Sequence, residues 1–202
     1  LGPQIYFLNY EFLNEELAMA YPLANEKFIA GEVYRLRWDS YGNSGMFDLE
    51  YELDGNNNWI SIANNIEENT RVYEWTAPLS LNKGIKNIRF RVKKGSSIGT
   101  SGNNQIGPLA DNFKITKICN NQVHFSWTAI PNATSYTIYK LGAKYMEPVT
   151  SNIVFNGNTA ILSNQSNTTS EHYAISGLTN SLEGSRSFAI EKVLGDYLCN
   201  GI

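Results

Sequence analysis

The sequence predicts an all-β protein made of two β-sandwich domains in tandem. Apolar and aromatic residues alternate with polar ones along run after run, and clusters of Gly, Asn and Pro separate the runs. The length, 202 residues, is twice the roughly 100 of a small sandwich. A third observation places the division. Residues 95–107, GSSIGTSGNNQIG, are rich in Gly, Ser and Asn and are followed at once by Pro108, so the domains are expected at 1–107 and 108–202. A short linkage marked by proline favours a stiff arrangement of the two over a free one.

Residues 5–16 open on apolar and aromatic side chains and run on into ELAMAYP. Propensity alone favours helix over residues 15–20, whereas the whole stretch reads as an edge strand stopped at Pro22. From Gly31, Tyr34, Leu36 and Trp38 fall on one face of a strand, with Arg35, Arg37 and Asp39 on the other. After a turn at residues 41–45, Phe47, Leu49, Tyr51 and Leu53 face inward. Asp54-Gly55-Asn56 closes that strand, and residues 59–62 return. Residues 71–77 supply another strand holding Tyr73 and Trp75, and Ile88, Phe90 and Val92 a further one.

Two of these strands carry matched charge rows, Asp48, Glu50 and Glu52 on one and Arg89, Arg91 and Lys93 on the other. Segregation of sign by strand predicts that the two are neighbours, with cross-strand ion pairs of about 0.2–1 kcal/mol each. The carboxylates read as surface groups. They lack the desolvated acid that a glycosidase pair needs.

In the second half a strand over residues 113–118 leads to Cys119. Residues 123–140, VHFSWTAIPNATSYTIYK, then hold two alternations, Val123-Phe125-Trp127 and Tyr136-Ile138, with a corner at Pro131-Asn132-Ala133 between them. The corner turns one run back against the other, as in the nucleus of a sandwich.

Composition narrows the function. A net charge of −3 with a pI near 5.5, and no basic tract, speaks against nucleic acid or an anionic membrane as partner. No apolar run reaches the roughly 18 residues that span a bilayer, so no membrane insertion is expected. The opening LGPQIYFLNY lacks the features of a signal peptide, which for a secreted protein implies an internal piece of a longer chain. Both histidines, His124 and His172, sit in strands beside core residues and are expected to point outward, with no G-x-S-x-G elbow. DGNNNW reads as a turn and lacks the ligand pattern of a calcium loop, and no glycine run has the spacing of a phosphate loop. No catalytic residue, metal site or cofactor is expected.

Three exposed aromatics, Tyr41, Tyr139 and Tyr145, are the candidate contacts for a carbohydrate or protein ligand, because tyrosine joins apolar area to a polar tip. Single exposed tyrosines are also ordinary on β-proteins. The two cysteines, Cys119 and Cys199, lack metal-ligand spacing and are either two buried thiols or one disulfide. A disulfide closing so long a loop contributes roughly 4–5 kcal/mol in the chain-entropy model and implies an oxidising compartment.

The run Trp127, Pro131 and residues 133–139 (ATSYTIY) resembles the early strands of a fibronectin type III domain, and residues 173–178 (YAISGL) are similar to its late tyrosine strand. The resemblance implies that Trp127, Tyr136 and Tyr173 are core residues of a seven-stranded sandwich. Such domains usually lack a disulfide, so a Cys119–Cys199 bridge would be an addition. LGAKYMEPV (141–149), EGSRSFAIEKVLGDYLC (183–199) and RLRWDSYGNSGMFDLEYELDG (35–55) together resemble accessory modules of large secreted proteins of Bacteroidetes. There an immunoglobulin-like domain precedes a fibronectin type III domain, often downstream of a subtilisin-like protease domain and ahead of a C-terminal sorting signal. The resemblance implies a secreted or cell-surface address and a non-catalytic accessory role, with neighbouring domains of the parent as the first partners.

Overall fold

The computed structural model describes residues 16–193 except 43, 120 and 167. Cys199 and the reading made for residues 5–15 lie outside them. The first half folds into β1 (Glu16–Tyr21), β2 (Lys27–Ile29), β3 (Val33–Tyr41), β4 (Phe47–Leu53), β5 (Ile60–Ile66), β6 (Val72–Thr76), β7 (Lys86–Lys94), β8 (Ser97–Thr100) and β9 (Asn104–Gly107). One sheet has the order β1-β3-β6. The other has the order β2-β9-β7-β4-β5, with β8 paired to β7. The two sheets close on a shared core in which Trp38 meets Phe47 at 5.4 Å and Trp75 meets Phe90 at 5.0 Å, both edge to face.

Strand wins over helix propensity in β1 because alternation puts Leu17 and Met19 into that core while the backbone pairs with β3. It is an edge strand, ending at the cis Tyr21–Pro22 bond. Within the stretch 95–107, Gly99, Gly102 and Gly107 are small because neighbouring chain segments pack against them. Gly99 of β8 passes so close to β1 that a Cβ there would lie 2.7 Å from the Leu17 carbonyl. Asn104 of β9 is buried and accepts the Glu26 N–H at 2.9 Å.

The charged rows meet in the expected register: Asp48 opposite Lys93, Glu50 opposite Arg91 and Glu52 opposite Arg89. Glu50 bonds Arg91 at 2.5 Å and Lys93 at 3.2 Å, and Glu52 bonds Arg89. The surface reading of these carboxylates is corrected for Glu52, which is 0% exposed. The loop after β4 folds back, so that Asn57 N–H reaches Glu52 at 2.6 Å and the Trp59 ring lies under the guanidinium of Arg91 at 4.1 Å. Burial raises the Glu50 carboxyl, yet Arg91 and Lys93 together hold it below its ordinary value.

The second half folds into β10 (Lys114–Cys119), β11 (Gln122–Ser126), β12 (Ser135–Leu141), β13 (Met146–Pro148), β14 (Ile153–Asn156), β15 (Thr159–Leu162), β16 (Glu171–Thr179), β17 (Leu182–Glu183) and β18 (Ile190–Lys192). Sheet β10-β11-β15-β14 faces sheet β13-β12-β16-β17, with β18 also on β16. The corner at Pro131 carries the chain from one sheet to the other, so β11 and β12 are opposed across the core and share no ladder. Trp127 meets Tyr136 at 4.9 Å and Phe125 meets Tyr173 at 5.0 Å. Trp127 and Tyr173 are buried, while Tyr136 is half-buried and its hydroxyl accepts the Ile130 N–H at 2.9 Å.

Candidate functional site

The two sandwiches meet on a short loop, residues 83–85, between Leu79–Leu81, a single 3-10 turn, and β7. Ile85 is 2% exposed yet belongs to neither hydrophobic core. It is enclosed by two glycines: a Cβ on Gly107 or on Gly184 would lie 3.0 Å from an Ile85 atom. Gly84 has φ +118, and a Cβ there would sit 3.3 Å from the Pro131 carbonyl and beside Asn132. Polar contacts surround this plug. Asn132 Nδ2 donates to the Lys83 carbonyl at 2.7 Å, and Ile85 N–H donates to Thr179 Oγ1 at 3.2 Å.

A carboxylate closes the other side of the junction. Glu183 of β17 takes the Lys27 ammonium of β2 at 2.7 Å across the domain boundary. Within its own sandwich it accepts the Ser176 hydroxyl at 2.6 Å and the Tyr139 hydroxyl. Burial raises this carboxyl, and the hydrogen bonds from Lys27, Ser176 and Tyr139 outweigh that effect, holding it at about 2. Glu183 is therefore an anion at any ordinary pH. The arrangement can hold two bodies in one orientation.

The exposure expected of Tyr139 is corrected. It does point away from the second core, but it is 5% exposed, because Glu183 bonds its hydroxyl and the Arg186 guanidinium lies 3.8 Å over its ring. Burial, then Glu183, push its phenol up. Tyr41 (63% exposed) ends β3 in the first sandwich, and Tyr145 (75% exposed) sits at the turn between β12 and β13 in the second. Cys119 is buried at the end of β10.

His124 and His172 are half-buried, on β11 and β16. Burial and the charge of Lys117 push the His124 imidazole down. Among the described residues no three His, Cys, Asp or Glu side chains group as metal ligands, and no helix is long and apolar enough to cross a membrane.

The sequence reading missed Ile85 and Glu183, whose roles depend on distant partners, and only the glycines beside them hinted at close approach. It also missed a network inside the second sandwich. There Glu171 holds Lys140 at 2.5 Å and the buried Lys192 at 2.9 Å, and accepts the Tyr173 hydroxyl at 2.6 Å.

Beside the junction lies a cleft of about 750 Å³ between the sandwiches. Its walls include Val33, Tyr34, Leu79 and Phe188, with Glu32 and Asp111 as its charged residues.

Fold and junction define a tandem of two β-sandwiches joined by a plugged and bridged contact. In immunoglobulin lettering the second has sheets A-B-E-D and C′-C-F-G, an immunoglobulin-like order with more strands than the seven expected, and the first has A-B-E against a sheet built on G-F-C. No protein-family model matches the chain, and no curated protein does. Solved structures similar to it include the FN1–FN3 domains of chicken CNTN1, with 14% identity, 88% of this chain and 64% of that one covered, and a TM-score of 0.35. This chain thus spans just under two thirds of that fragment. A two-domain fibronectin type III segment of chicken tenascin gives 14% identity, 88% and 97% coverage and a TM-score of 0.39. The fibronectin(III)-like modules of Clostridium thermocellum CbhA give 9% identity, 89% and 94% coverage and a TM-score of 0.35.

Proposed function

We propose that the chain is a stiff, non-catalytic pair of modules, divided at 107/108, that holds neighbouring domains of a longer secreted or cell-surface protein at a set distance and angle. The observation that supports this is Ile85, buried outside both cores between Gly107 and Gly184. A flexible hinge has no use for such a plug, since burying an isoleucine contributes about 1.5–3 kcal/mol only while the two bodies stay docked. On the sequence resemblance, the parent is a large secreted Bacteroidetes protein in which the pair positions a subtilisin-like protease domain ahead of a sorting signal.

Small-angle scattering and interdomain residual dipolar couplings test the stiffness. The intact chain should fit one orientation with a narrow size distribution, and Ile85→Asp should broaden it while both sandwiches stay folded. Independent tumbling of the two halves in the unaltered protein would sink the proposal.

A further inference from the structure

The cleft beside the junction holds the most exposed aromatic side chain among the described residues. Phe188 is 87% exposed, and two more apolar side chains on the same cleft, Leu79 at 72% and Val33 at 57%, stand open to water. Single exposed apolar residues need no explanation, but three on one concavity from both sandwiches mark an interaction site. The volume lies within the roughly 300–1,000 Å³ usual for clefts that take a ligand or side chain, and domain boundaries are a favoured place for them.

Charge narrows the occupant. The only ionisable acids or bases lining the cleft, Tyr34 apart, are Glu32 and Asp111, both exposed and neither in an ion pair among the described residues. Among the described residues no lysine or arginine lines it. The less exposed carboxylates Glu50, Glu52, Glu171 and Glu183 each carry a basic partner. Apolar walls with two unneutralised acids favour a basic, apolar guest and repel an acidic one.

We propose that this cleft docks a peptide segment of a partner protein, in which an apolar anchor side chain is flanked by lysine or arginine. The anchor packs against Phe188, Leu79 and Val33, and the flanking cations face Glu32 and Asp111. Because the walls come from both sandwiches, the site exists only while the junction is closed.

The test uses the intact chain and two capped pentapeptides, Gly-Lys-Phe-Lys-Gly and Gly-Glu-Phe-Glu-Gly, followed by amide chemical shifts. The lysine peptide should give saturable shifts at Val33, Leu79, Asp111 and Phe188 with a Kd below about 1 mM. Phe188→Ser, at a site too exposed to threaten folding, should weaken binding about tenfold or more. Glu32→Lys with Asp111→Lys should weaken the lysine peptide by a similar factor, about tenfold, and improve the glutamate one. Ile85→Asp should abolish binding while the stiffness measurements report the joint separately. Equal binding of both peptides, unchanged binding by the Phe188→Ser chain, or no saturable shift overturns the proposal. A concentration-dependent dimer that Phe188→Ser abolishes overturns it too, by giving the cleft to a second copy.

Discussion

Glu183 shows how much one carboxylate can organise. It ties β2 of the first sandwich to β17 of the second and accepts the hydroxyl protons of Tyr139 and Ser176 at the same time. Its carboxyl sits at about 2 in the folded chain against an ordinary 4.5. The folded state therefore binds fewer protons than the unfolded one in that window. The stability this contributes is complete above pH 4.5 and is lost as the pH falls from 4.5 towards 2. After allowance for solvent screening, the loss should be about 1–2 kcal/mol. Chemical denaturation across that range checks it, because Glu183→Gln should remove this part of the acid sensitivity.

At the scale of elements, the β4–β7 ladder ties sequence to packing most directly. Equal spacing and opposite sign predicted the pairing, and the strand register delivers it. Their burial was not legible in either strand, because it depends on Asn57 and Trp59 folding back from the following loop. Glu52→Ala should cost about 2–4 kcal/mol, less than the loss of a fully enclosed partner because Arg89 is still partly in water. Exchanging the signs as Glu50→Arg with Arg91→Glu should recover part of what either change alone costs, and a double-mutant cycle by urea unfolding measures it. In β1 the reading succeeded against local propensity: Leu17 and Met19 alternate at the period of a strand, and core burial outweighs the few tenths of a kcal/mol per residue that favour helix.

For the whole molecule, the consequence of the junction is coupling. Two sandwiches with separate cores would melt independently unless the contact between them is worth several kcal/mol. Ile85→Asp should therefore split thermal unfolding into two transitions, read by calorimetry. We also propose the Cys119–Cys199 bridge. In denaturant without reductant, alkylation should modify neither cysteine, and reduction should expose both. Free thiols under those conditions would remove one support for an oxidising, extracytoplasmic address. For a loop of about 80 residues the bridge would contribute about 4–5 kcal/mol in the chain-entropy model.

The sequence by itself determined the all-β class, the inward faces of the strands and the partnership of the charged rows. Alternation of period two is a local property, and each strand carries its own record of which side meets the core. Only the tertiary structure decided that Tyr139 is covered, that Glu52 is buried, that Ile85 and Glu183 join the two sandwiches and that Phe188 lines the cleft beside them. Those outcomes depend on which groups arrive from across the fold. Lys27 and Glu183 are 156 positions apart, and no pattern within either strand encodes the other's arrival.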